Sequence, residues 1–237
     1  MARRRWIADE VTQNRAALIG PHAEHLSRVL RAQIGQEFDI ATGHAIRRGR
    51  ITLISDTRVE FELAEAISAA TLPDLTLLLA IFKFDRMEWA IEKATELGVR
   101  RIVPVLARRT DAHLASAAAK RLERWQRLAH QASEQSRRPA TPELSSPIKV
   151  AEAAAISATT RILLAETEAK QTLIDRLESH PPDTSLALAI GPEGGWTPDE
   201  MATFTTAGFL PASLGPTILR AETAAIAAVA IALSQLT

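Results

Sequence analysis

Ile190-Gly191-Pro192-Glu193-Gly194-Gly195-Trp196 sets a carboxylate among closely spaced glycines. The run before it, Ser185 to Ile190, reads as a strand. Thr197-Pro198-Asp199-Glu200 after it reads as a helix start, with Thr197 as N-cap, proline at the first helical position and Glu200 closing a capping box. Glycines at the carboxyl end of a strand let backbone come close to a ligand, because they accept positive φ and carry no Cβ. The same glycines also suit a tight turn with nothing bound. Their spacing matches neither a dinucleotide fingerprint nor a phosphate loop, and neither pattern occurs elsewhere in the chain.

A second candidate is Leu214-Gly215-Pro216-Thr217-Ile218-Leu219-Arg220-Ala221-Glu222-Thr223-Ala224. A short strand and a Gly-Pro turn lead into an almost uncharged helix, with Arg220 and Glu222 at its start. Charged groups beside a turn at the edge of an apolar helix fit a site. Glu222 also fits as a favourable charge at a helix N-terminus, and Arg220 as its salt-bridge partner. The alanine-rich run from Ala224 to Leu233 reads as core or as a subunit contact. A third signal is basic: Arg100, Arg101, Arg108, Arg109, Lys120, Arg121, Arg124, Arg127, Arg137 and Arg138 outnumber Asp111, Glu123 and Glu134. This fits a phosphate-binding face or a solvated helix surface. Arg3, Arg4, Arg5, Arg47, Arg48 and Arg50 give the N-terminal region a similar bias, with Trp6 and Trp196 as candidate base-stacking residues. His22, His25, His44, His113, His130 and His180 lack metal-ligand spacing, so no metal site is expected. No G-x-S-x-G elbow is present.

These residues need a scaffold. Phe38 to Ala41, Ile51 to Ile54 and Val59 to Leu63 are short apolar runs between polar turns, which predicts a small β-rich module, interrupted by a helix around His22 to Arg31. Thr71-Leu72-Pro73-Asp74 reads as a linker, which puts a first domain at 1–72 and a second at 73–237. In the second, strands and helices alternate. Leu75 to Phe82 is a buried strand and Asp85 to Leu97 a helix with Ala90, Ala94 and Leu97 on its apolar face, ended by Gly98. Ile102 to Leu106 is a strand and Ser116 to Gln135 a long polar helix. Arg161 to Ala165 is a strand, Gln171 to Glu178 a helix, and Arg220 to Gln235 the last helix. This alternation predicts an α/β domain with a parallel sheet.

The chain has 237 residues, 46% of them hydrophobic, and a formal net charge of +0. A core can be buried, and a globally basic nucleic-acid binder is excluded. With no cysteine, disulfides, thiolate zinc sites and cysteine nucleophiles are excluded. The basic start, Met1 to Arg5, is followed by acidic residues rather than an apolar stretch, and Thr223 to Leu233 is too short to span a bilayer. The expectation is a cytoplasmic protein with no membrane partner.

Five motifs in order carry a resemblance over nearly the whole chain: His25-Leu26-Ser27-Arg28-Val29-Leu30-Arg31, Lys93-Ala94-Thr95-Glu96-Leu97-Gly98-Val99, Glu134-Gln135-Ser136-Arg137-Arg138, the loop from Ile190 to Trp196, and Ile218-Leu219-Arg220-Ala221-Glu222-Thr223-Ala224. The sequence resembles the ribosomal RNA small subunit methyltransferase E family of the SPOUT superfamily. The resemblance implies a small N-terminal PUA-like β-barrel that binds RNA and a SPOUT-type parallel sheet with a C-terminal trefoil knot. It implies methylation of N3 of a uridine in 16S rRNA of the small ribosomal subunit, position 1498 in standard rRNA numbering, from S-adenosylmethionine (SAM), by a homodimer. Carried over residue by residue, the SAM pocket would use Leu164, Ala165, Glu166, Gly191, Pro192, Glu193, Gly194, Gly195, Leu214, Gly215, Ile218 and Leu219. Arg220 and Glu222 would be catalytic. Arg3, Arg4, Arg5, Arg28, Arg31, Arg137 and Arg138 would contact RNA. Pro216-Thr217 departs from the family's usual basic pair, and Ala221 stands where a small hydroxyl residue is common.

Uridine N3 carries a proton and is a poor nucleophile until it leaves. Arg220 is therefore expected to stabilise a developing uracil anion, with Glu222 orienting Arg220 or taking the proton. The alternatives are another SPOUT activity such as ribose 2′-O methylation, a non-catalytic RNA-binding assembly protein, or an enzyme for a small phosphorylated metabolite with the glycine loop as anion cradle.

Overall fold

A computed structural model of the chain describes residues 5–43, 45–68, 73–179, 181 and 184–236. Arg3, Arg4, His44 and His180, and Thr71 and Leu72 of the expected linker, lie outside the described residues. The chain separates into two compact units, one of residues 1–71 with 133–141 and the other of 72–132 with 142–237.

The first unit holds β1 (Arg5–Ile7), β2 (Glu10–Val11), β3 (Arg15–Ile19), α1 (Pro21–Glu24), β4 (Glu37–Ala41), β5 (Ile46–Ile54) and β6 (Arg58–Ser68). Among the described residues these strands form a six-stranded mixed sheet in the order β1-β4-β5-β6-β3-β2, with β1 parallel to β4 and the other pairs antiparallel. The two edge strands are joined by only Ala8 and Asp9. The Ala8 amide donates to Ala41 on one side and the Asp9 amide to Ala17 on the other. One dipeptide can reach both edges only if the sheet curls round, so the expected small barrel is a half-barrel. Trp6, Leu18, Leu26, Ile40, Ile51 and Phe61 fill it. Gly49 allows the curl, since a Cβ there would lie 2.5 Å from the Ile40 side chain. The helix expected over His22 to Arg31 is α1 continued by a π-helical turn, His25–Val29.

The second unit begins with β7 (Leu75–Ala80), α2 (Phe84–Leu97), β8 (Arg101–Leu106), α3 (Ala112–Ala117) and most of α4 (Leu122–Gln135), whose residues from Ser133 on belong to the first unit. It continues with β9 (Glu143–Leu144), β10 (Ile148–Lys149), α5 (Val150–Ala154), β11 (Thr160–Leu164), α6 (Leu173–Leu177), β12 (Leu186–Ile190), α7 (Pro198–Thr206), β13 (Leu210–Ala212) and α8 (Ala221–Leu236). Every paired strand is parallel, in the order β10-β8-β7-β12-β11-β13, with β9 beside β8. This is the parallel sheet that the strand–helix alternation predicts. Every residue of β12 is buried, as a central parallel strand covered on both faces requires. On one face pack α2, α8 and Trp125 of α4. On the other lie Trp196, Phe204 and Phe209, with edge-to-face ring contacts at 5.0 and 4.9 Å.

Two local expectations change. The long polar helix is α3 and α4 joined by a 3-10 turn, and it starts earlier because the Asp111 side chain caps the His113 amide at 2.8 Å. On α2 the buried face is Met87, Ala90, Ile91, Ala94 and Thr95, while Leu97 is 40% exposed. Gly98 ends that helix at φ 119°, a left-handed cap that glycine adopts without strain. Among the described residues no helix is long and apolar enough to cross a membrane.

Phe204→Ala should destabilise the protein by about 3–5 kcal/mol, because it empties the ring between Trp196 and Phe209 under the glycine loop. Chemical denaturation with an unchanged slope and a lowered midpoint is the expected result.

Candidate active site

Strand β11 lies between β12 and β13 and all run the same way. The segments leaving their carboxyl ends, 165–167, 191–196 and 213–220, therefore meet, and they enclose a cavity of about 430 Å³. Leu164, Ala165, Glu166, Gly191 to Gly195, Leu214, Gly215, Ile218 and Leu219 all line it, as does Arg220. Three distant stretches of sequence thus come together at one place. Pro216 and Thr217, the departure from the family's basic pair, are exposed on the same lining.

The glycine loop is shaped by its neighbours. The Gly195 amide donates to the Pro192 carbonyl at 2.8 Å, and Gly195 has φ 69°. A Cβ there would sit 3.0 Å from Glu166 Oε1. Gly191 faces the Trp196 indole, and a Cβ would meet it at 3.2 Å. The capping box at Thr197 forms as the sequence predicts, and its glutamate does more than cap. Glu200 Oε2 accepts from the Thr197 amide at 2.8 Å, while Oε1 accepts from the Arg108 amide at 2.6 Å. One buried carboxylate thus ties the start of α7 to the exit of β8.

Two arginines that the sequence reading did not assign to the site line the cavity. Arg109 Nη1 donates to the Gly194 carbonyl at 2.7 Å. Arg86 Nη1 donates to Glu193 Oε1 at 2.7 Å. No local pattern marks Arg86, which is far from the loop in sequence, and Arg109 lies within the basic stretch. Arg220 differs from both: it is exposed to the cavity, and its guanidinium has no hydrogen-bond or ion-pair partner among the described residues. Glu222 is buried at 5% exposure and does not line the cavity.

The basic residues have separate fates. Arg124 forks onto Glu88 at 2.6 and 2.8 Å, and Arg101 pairs with Glu143 at 3.3 Å. Arg47 donates to the carbonyls of Gln13, Leu63 and Ala64, and Arg48 pairs with Glu37 and Asp39. Arg28 is exposed and donates to Asp56 and Glu24, and the hydrogen bond it donates to Asp56 raises its pKa. Arg5 donates to the Arg137 carbonyl. Arg31 and Arg137 are exposed, with φ of 50° and 57°. Arg138 is only 4% exposed, and burial lowers its pKa to about 10, still charged at neutral pH. Its side chain is thus buried within the first unit. Trp6 and Trp196, at 5% and 6% exposure, are core side chains and not stacking platforms.

Residues 70–233 match the RNA methyltransferase domain family. The chain is 34% identical over 97% of its length to the ribosomal RNA small subunit methyltransferase E of Synechocystis, covering 77% of that protein. The chain belongs to the ribosomal RNA small subunit methyltransferase E family. A family member from Neisseria gonorrhoeae, solved bound to SAM, superposes with a TM-score of 0.80 at 30% identity over 97% of this chain and 96% of that one. A methyltransferase from Legionella pneumophila, also solved with SAM bound, superposes with a TM-score of 0.82 at 27% identity over 99% and 98%. The half-barrel and the parallel sheet described above are therefore the family's architecture.

Gly195→Ala should cost about 1–2 kcal/mol from its left-handed backbone alone. Adding Glu166→Ala should relieve the contact but not the backbone term, so denaturation midpoints of the single and double variants should differ only modestly.

Proposed function

We propose that this protein methylates N3 of a uridine in 16S rRNA of the small ribosomal subunit, position 1498 in standard rRNA numbering, using SAM. The observation that carries the reading is Arg220: among the three arginines lining the cavity it alone has an unengaged guanidinium. Bound SAM supplies a methyl group on a sulfonium sulfur, which a nucleophile displaces. The cavity volume, about 430 Å³, is in the range for a small ligand, and backbone groups at Gly191 to Gly195 and Leu214 to Leu219 are available to hold it. The trefoil knot implied by the resemblance would be made by these same segments.

In this reading Arg220 acts on the nucleophile, because its guanidinium is open to the cavity. As the N3 proton passes to water, negative charge develops on the uracil, and a fixed guanidinium in a partly closed site lowers its energy; the N3–methyl bond would form as the sulfur–methyl bond breaks and the sulfonium leaves as a neutral thioether. The target base must be unstacked to enter. Glu222 is buried and lies behind the lining, 3.6 Å from Arg86; we give it the role of a fixed counter-charge rather than of the proton acceptor. Arg3, Arg4, Arg5, Arg28, Arg31 and Arg137 remain the RNA contacts of this reading, with Arg138 supporting them from inside. The positive φ of Arg31 and Arg137 supports it, since strained backbone concentrates at functional positions.

A homodimer is part of the proposal. Trp89 at 48% and Leu97 at 40% exposure line a groove with Thr223, Ile226 and Ala227 of α8. Lys93 and Glu96, paired with each other at 2.7 Å, line the same groove, and exposed apolar side chains beside a self-neutralised pair on two packed helices suit a two-fold contact. Trp89→Glu should shift the protein to monomer in light scattering coupled to size exclusion.

Labelled SAM incubated with small subunits from a strain lacking this gene should yield N3-methyluridine by nucleoside mass spectrometry. A 2′-O-methylated nucleoside would move the reading to another SPOUT activity, and SAM binding without turnover to an assembly role. Arg220→Ala should lower kcat by roughly 100- to 1,000-fold, the usual loss of one preorganised donor, with the SAM Kd nearly unchanged; full activity would remove Arg220 from the mechanism.

A further inference from the structure

Arg86 lies in the first turn of α2, and its two carboxylate partners come from two different walls of the cavity. Nη1 donates to Glu193 Oε1 at 2.7 Å in the loop after β12. Nε lies 3.6 Å from Glu222 Oε1 in the first turn of α8. Neither the loop nor α8 is bonded to the other through these carboxylates; Arg86 is the shared partner. Glu222 is 5% exposed, and its Oε2 has no hydrogen-bond partner among the described residues. A buried carboxylate is costly unless a cation stands beside it, and Arg86 is the cation within 4.0 Å among the described residues. The planar fork of arginine can address two carboxylates from different directions, which the point charge of lysine does poorly.

We propose that Arg86 is a positioning residue, a latch that fixes the 191–196 loop against the 214–222 segment. It thereby sets the shape of the cavity and the direction of Arg220, two residues before Glu222. The consequence for ligand binding rests on the reading of this cavity as the SAM site; the latch itself does not. In this arrangement Glu193 and Glu222 act through Arg86 and touch no reacting atom.

The test uses the full-length protein in five forms beside wild type: R86M, R86K, E193Q, R86M/E193Q and R86M/E222Q. The R86M/E222Q variant is needed because R86M alone strands the buried Glu222 charge. Amide hydrogen exchange without ligand is measured first. In R86M and R86M/E222Q the amides of both 191–196 and 214–220 should exchange roughly tenfold faster, as for a lost local restraint, with β7 unchanged. SAM affinity by calorimetry should fall on the order of tenfold or more in R86M and recover in part in R86K, with KM for SAM rising more than kcat falls. E193Q should add little in an R86M background, since the two act as one unit. Unchanged exchange in the folded R86M/E222Q variant, faster exchange in only one segment, or full additivity of R86M and E193Q would overturn the latch. Failure of wild type to bind SAM would instead remove the functional reading, and the exchange result would still decide the latch.

Discussion

The buried strand β12, Leu186–Ile190, holds the second unit together, because it pairs with β7 on one side and β11 on the other. Its side chains are apolar on both faces, so it can only be central. With β12 in the middle and β11 and β13 running the same way, the three exits share one edge. The cavity follows from that parallel register rather than from any single loop. Shifting β12 by one residue would reverse its faces, taking Trp196 off the Phe204 ring and the glycine loop out of its place.

Around that edge the chain uses charge mainly for construction. Glu200 holds α7 to the exit of β8, Arg109 holds the Gly194 carbonyl, and Arg86 stands between Glu193 and Glu222. Each arrangement joins segments far apart in sequence. Exposed pairs of this kind add little stability, but Glu200 and Glu222 are buried and must be satisfied where they are. Arg220 is left over from this scheme, its guanidinium open to the cavity.

The half-barrel of the first unit obeys a similar economy. Arg47 and Arg48 are spent on backbone carbonyls and on Glu37 and Asp39 within the sheet. A neutral protein with many arginines therefore presents fewer free ones than its sequence implies. Arg31 and Arg137, exposed and held at positive φ, stand apart from that pattern.

Much of this architecture is legible in the sequence. The alternation of strands and helices, the capping box at Thr197 and the end of α2 at Gly98 follow from short-range patterns, because periodicity, capping and turn chemistry act within a few residues, and the family motifs name residues that line one cavity. Other features were not legible: the break between α3 and α4, the outward turn of Leu97, the burial of Arg138, Trp6 and Trp196, and the parts played by Arg86 and Arg109. Each depends on which distant segment packs against the residue. Hydropathy and charge are properties of a side chain, whereas burial and partnership are properties of its surroundings, and only the tertiary structure supplies those.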